Sequence, residues 1–137
     1  MPENSTALLI GPISPAASGP LYQQIVDGFT RAISEGRLDP GTALPSFRAL
    51  AEQLMVSLIT VKRAYEELER DGIIFRRQGL GTFVAEQGAA ASRDSKLKDA
   101  REQFRKAARN AAEAGLSPAQ IRKLANEAIQ EETDSKS

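Results

Sequence analysis

LPSFRALAEQLMVSLITVKRAYEELERDGIIFRRQGLGTFV, residues 44–84, decides how this chain folds. Pro45 and Ser46 suit a helix start, and Phe47, Leu50, Ala51 and Leu54 follow at core spacing, giving a helix of about nine residues. After Met55-Val56, Ser57 can cap a second helix whose Val61, Ala64, Tyr65 and Leu68 share one face, and Asp71-Gly72 stops it. Two short helices joined by a three-residue turn form a helix-turn-helix. Ile73-Ile74-Phe75 and Thr82-Phe83-Val84 are β-prone runs flanking the glycine-bearing stretch Arg76 to Gly81, so a hairpin follows and the unit is winged. The fold class expected is mainly α with a small β-hairpin: a winged helix-turn-helix domain followed by a C-terminal two-helix dimerisation hairpin.

Working outward, Leu21, Ile25, Phe29 and Ala32/Ile33 recur at three-to-four spacing, with Pro20 suited to a first helical turn. That helix should end near Gly36, and Leu38-Asp39-Pro40-Gly41 reads as a turn. Residues 1–19 hold Pro2, Pro12, Pro15, Gly11 and Gly19 and are expected to form a mostly extended arm. The winged domain should span 20–87. Residues 88–94 (GAAASRD) are small and polar, as in a linker. Beyond them Leu97, Ala100, Phe104, Ala107, Ala111 and Ala114 repeat in heptad fashion until Gly115. Ser117-Pro118-Ala119-Gln120 satisfies a capping box, and the last helix carries Ile121, Leu124, Ala125, Ala128 and Ile129 on one stripe. Residues 95–132 are therefore expected to dimerise through Leu97, Ala100, Phe104, Ala107, Ala111, Ile121, Leu124 and Ala128, with 133–137 a frayed tail.

The 137 residues are 41% hydrophobic and 26% charged, ordinary globular material for one compact domain with a small appendage. The absence of cysteine and histidine removes disulfides, Cys/His zinc sites and the commonest general base, and no catalytic, metal or cofactor site is expected. Without an apolar run of about 18 residues or a basic leader, a soluble cytoplasmic protein and no membrane partner are expected. Eighteen basic residues balance eighteen acidic ones, so only local clustering can attract a polyanion.

Such clustering occurs on the helix after Ser57. Ser57, Thr60, Lys62 and Arg63 lie toward its N-terminus, where free N–H groups and the helix dipole favour anions, while Glu66, Glu67, Glu69 and Asp71 crowd the other end. A helix-turn-helix inserts this N-terminal end into the major groove, so the charge pattern suits double-stranded DNA.

PLYQQIVDGF, LPSFRALAEQL, TVKRAYEELERDGII and GLGTFV, in this order over residues 20–84, resemble the GntR family of bacterial transcription regulators. The short helical tail looks like the YtrA subfamily. The resemblance implies a homodimeric regulator, expected to act as a repressor, on an inverted-repeat operator. It implies DNA contacts from Arg48, Ser57, Thr60, Lys62 and wing residues Gln78 and Gly79. Arg63 can reach phosphate or guanine, although it and Arg70 could also pair with Glu67 and Glu66. Of Arg76 and Arg77, which alternate across a strand, only one can face DNA, and Arg77 is placed with the wing contacts. Leu58 stands where such proteins often carry arginine, Met55 stands where glycine usually makes the turn, and Ile59 offers an apolar contact such as a thymine methyl accepts. A winged-helix adaptor binding protein rather than DNA is the alternative, and the sequence names no small-molecule effector.

Overall fold

The computed structural model of the chain describes residues 5–11, 13–14 and 19–135. Its elements run α1 (Ser5–Ile10), α2 (Leu21–Ser34), β1 (Ala43–Leu44), α3 (Phe47–Leu54), α4 (Leu58–Arg70), β2 (Ile74–Arg77), β3 (Gly81–Val84), α5 (Gly88–Glu113) and α6 (Pro118–Ser135). They fall into two compact units, residues 1–96 and 97–137.

In the first unit α2 turns Ile25, Phe29 and Ile33 inward against Leu50 of α3 and Val61, Tyr65 and Leu68 of α4, all buried. Pro20 precedes α2 as its N-cap instead of occupying the first helical position. Helix α3 begins where Ser46 Oγ accepts a hydrogen bond from Ala49 N at 3.1 Å. It ends at Met55, whose backbone sits in the left-handed region at φ 59°, ψ 47°. There Val56 N donates to Ala51 O (3.0 Å) and Met55 N to Glu52 O (3.3 Å), the two bonds of a Schellman cap. A methionine thus closes the turn in the conformation that glycine adopts freely.

The wing is a three-stranded antiparallel sheet in the order β1-β3-β2, not the two-stranded hairpin expected. The added strand pairs Ala43 with Phe83 and Leu44 with Thr82, and buried Leu44 ties it to the core. In β2–β3 the register sets Ile74 opposite Val84, Arg76 opposite Thr82 and Arg77 opposite Gly81. The connection Arg77–Leu80 closes with Leu80 N donating to Arg77 O at 2.9 Å, and Gly79 at φ 79° takes the third position of a type II turn.

Three further expectations are corrected. The N-terminal arm is not wholly extended: α1 packs on α2 and buries Ile10 in the core, with Arg37 donating to Leu9 O. Residues 1–4, 12 and 15–18 of that arm lie outside the described residues. The expected linker 88–94 is the start of α5, because three consecutive alanines favour helix and because Gly88 and Ser92 are buried against the winged unit. The tail expected to fray from 133 is helical to Ser135, and residues 136–137 lie outside the described residues.

In the second unit α5 stops at a second Schellman cap, with Leu116 N donating to Ala111 O (3.1 Å) and Gly115 at φ 97°. The capping box forms as read: Ser117 N donates to Gln120 Oε1 at 2.8 Å and Gln120 N to Ser117 Oγ at 3.2 Å.

Candidate nucleic-acid interface

Helix α4 owes its place to Val61, Ala64, Tyr65 and Leu68, which bury one face and thereby turn Ile59, Lys62, Arg63 and Glu66 outward. Tyr65 fixes the depth of the helix. Its ring meets Phe29 (5.7 Å) and Phe47 (5.2 Å) edge-on, its hydroxyl donates to Pro45 O at 2.8 Å, and burial pushes the phenol well above its ordinary range.

The N-terminus of α4 is exposed. Ser57 caps it by accepting from Thr60 N (3.2 Å), and the Ser57 and Thr60 hydroxyls bond each other at 2.8 Å. Both hydroxyls therefore serve the cap, Ser57 being exposed and Thr60 half-buried. Leu58 and Ile59 follow, with Ile59 78% exposed, which makes it the more prominent apolar group of the first turn.

The cations divide into two sets. Arg63 lies 3.9 Å above the Tyr22 ring, donates to the Tyr22 hydroxyl at 3.2 Å and stands 4.0 Å from Glu67. Arg70 pairs with Glu67 at 3.3 Å and Asp71 at 4.0 Å, not with Glu66 as the helical spacing suggested, because the three-residue step back brings the two side chains together. By contrast Arg48, Lys62, Arg76 and Arg77 have no carboxylate within 4.0 Å among the described residues. Arg31 and several cations of α5 and α6 also have no such pair, so what sets these four apart is their place on α3, α4 and the wing.

The sheet register separates the two wing arginines. Arg76 shares a face with core residues Ile74 and Val84, and its guanidinium stacks 4.8 Å from the centroid of Phe47, which also receives Lys62 Nζ at 5.9 Å. Arg77 lies on the opposite face above Phe75, at 5.5 Å, where Phe75 and Phe83 stack. An open groove runs between Pro45-Ser46-Phe47 and the wing segment from Arg76 to Thr82, with Gln78 and Gly79 on its rim. Sequence reasoning singled out Arg77 and left Arg76 and Phe47 aside. The available signal was the two-residue step from Ile74 to Arg76, which puts Arg76 on the inner face once Ile74 is assigned to the core.

The expected dimerisation residues all lie on α5, α6 and within the second unit. Leu97, Phe104 and Leu124 are at least half exposed, Ala100, Ala107 and Ala128 are exposed, and Ala111 and Ile121 are half-buried. Among the described residues no helix is long and apolar enough to cross a membrane.

Comparison with known proteins places this architecture. Residues 21–84 match the description "Bacterial regulatory proteins, gntR family". The HTH-type transcriptional repressor YtrA of Bacillus subtilis (strain 168) is 36% identical over 104 residues, covering 76% of this chain and 80% of that protein. Other curated relatives of B. subtilis are matched over a smaller share of their length: 59% of YhcF, 14% of YhdI and 27% of NagR. Among solved structures, a transcriptional antiterminator from Listeria monocytogenes EGD-e superposes with a TM-score of 0.63 at 32% identity, covering 88% of this chain and 90% of that one. YtrA from Sulfolobus acidocaldarius, a GntR-family transcription factor, gives 0.53 at 25% identity over 88% and 97%. With the match to YtrA running well past the winged domain, the chain belongs to the gntR family of bacterial regulatory proteins.

Proposed function

We propose that this chain is a sequence-specific DNA-binding transcriptional repressor that engages an inverted-repeat operator as a homodimer. The observation that carries this reading is the set of unneutralised cations, Arg48 on the first turn of α3, Lys62 on α4 and Arg76 on the wing, beside the exposed N-terminus of α4. Cations left without a carboxylate partner are available to phosphates, and the first two turns of α4 offer Leu58, Ile59 and Lys62 to base edges. Gly79 lets the wing backbone approach a groove closely, and Gln78 and Arg77 extend from the same turn. The name of the Bacillus relative, a transcriptional repressor, favours repression over activation.

The second unit supports dimerisation. Phe104 is 62% exposed and Ile129 54%, and α6 has no buried residue among those described, so the stripe lies open to a partner. A second copy presenting the same stripe would cover them, and a twofold axis then requires two half-sites about 10 bp apart, or a multiple.

Fluorescence anisotropy with duplex DNA from upstream of its own gene, read across a salt series, tests the proposal. Three phosphate contacts per protomer imply a log–log slope near −5 for a dimer, and so a loss of roughly 10³ in affinity between about 50 and 200 mM salt. A flat salt response, as expected of a protein-binding adaptor, would overturn it, and a footprint on one isolated half-site would overturn the operator symmetry.

A further inference from the structure

Phe47 is not simply a core residue. Its ring is half-buried at the rim of the winged unit, held edge-on by Tyr65, whose own hydroxyl is tied to Pro45 O. Two cations from elements distant in sequence converge on that ring: Arg76 from β2 at 4.8 Å and Lys62 from α4 at 5.9 Å. Neither has a carboxylate within 4.0 Å among the described residues. Like charges drawn to one aromatic group repel each other, and the quadrupole of the ring offsets only part of that repulsion. An anion bound between them removes the rest.

We propose that Phe47 is a positioning residue for DNA, holding Arg76 of the wing and Lys62 of α4 as a joint seat for backbone phosphate so that the two elements engage the duplex together. This rests on the DNA-binding reading. An aliphatic side chain of similar size would fill the same gap in the packing yet offer no π face, so the role is separable from core filling.

The test uses the full chain and a random-sequence duplex, titrated across a salt series. Phe47→Leu should lower the log–log salt slope by about 0.9 per protomer, which is roughly an eightfold loss at 0.1 M salt relative to the value extrapolated to 1 M. Phe47→Trp should restore the slope, because indole is the better cation acceptor. In the free protein, the upfield ring-current shift of the Arg76 side-chain protons should vanish in Phe47→Leu and persist in Phe47→Trp. A folded Phe47→Leu with an unchanged slope overturns the role given to Phe47. If Phe47→Leu does not fold, Arg76→Gln decides: the substitution lies on an exposed strand position, it should remove the same 0.9, and an unchanged slope overturns the proposal. A wild-type chain without salt-dependent affinity would instead bring down the DNA-binding reading itself.

Discussion

Replacing Met55 with glycine should stabilise this protein even though it deletes an entire side chain. Met55 is 90% exposed, so its removal opens no cavity and surrenders almost no buried area. Its backbone, at φ 59° and ψ 47°, holds an L-residue where Cβ crowds the carbonyl, at a cost of about 1–2 kcal/mol. Glycine removes that strain but frees the unfolded chain, which costs back about 0.4–1 kcal/mol. The net gain is therefore about 0.5–1 kcal/mol. For a domain of this size that raises Tm by about 2–8 °C. Both bonds of the Schellman cap run between backbone atoms and survive the substitution, so the angle between α3 and α4, and with it affinity for DNA, should not change. Thermal and urea unfolding followed by far-UV circular dichroism measure the effect, with Met55→Ala as the control. Alanine keeps Cβ and so keeps the strain, and its Tm should stay within about a degree of wild type. If Met55→Gly and Met55→Ala shift Tm equally, or if glycine destabilises, left-handed strain at the turn is not the operative quantity.

Other substitutions probe other contacts. A Cβ added at Gly28 would lie 2.5 Å from Ile10 O and 2.8 Å from Ile10 Cβ, so Gly28→Ala should dislodge α1. That forfeits the burial of Ile10, about 1.5–3 kcal/mol, and should appear as lowered Tm with faster amide exchange over residues 5–10. Leu58→Arg should strengthen binding: a phosphate contact would steepen the salt slope by about 0.9 on every sequence, whereas a guanine contact would add about 1–3 kcal/mol at particular sites only. Lys62→Ala is its counterpart and should weaken binding at unchanged Tm; native circular dichroism with unaltered affinity in both would remove α4 as the reading element. Finally, a chain truncated after Lys96 keeps buried Gly88 and Ser92 in place and should sediment as a monomer at micromolar concentration while the full chain sediments as a dimer.

The elements legible in the sequence are those whose side chains repeat with a period. Ile25, Phe29 and Ile33 on α2, and Val61, Tyr65 and Leu68 on α4, announce both the helices and the faces they bury. The caps at Ser46, Ser57 and Ser117 were equally readable, since each depends on residues only three positions apart. β1 was not, because two residues have no period: Ala43 and Leu44 are a strand only because β3 offers them a ladder. α1 is six residues long and owes its helix to packing on Gly28, eighteen positions beyond its end. The start of α5 resembles a linker because small residues suit a linker as well as a helix, and only the burial of Gly88 and Ser92 selects the helix. The cation set was half legible. Lys62 and Arg48 follow from their places on helices, whereas the choice between Arg76 and Arg77 depends on a register that pairs Arg76 with Thr82.

The three-stranded wing also bears on how the protein avoids sticking to itself. In the order β1-β3-β2 both outer strands present open N–H and C=O groups, and such edges template the addition of strands from other molecules. One edge is blunted by brevity, two residues and then Pro45, which has no N–H to donate. The other follows the apolar run Ile73-Ile74-Phe75 and is guarded by Arg76 and Arg77, whose like charges oppose a second copy docking in register. The same two side chains thus act as gatekeepers against aggregation, and replacing both with β-branched apolar residues would yield insoluble protein before any loss of DNA binding could be measured.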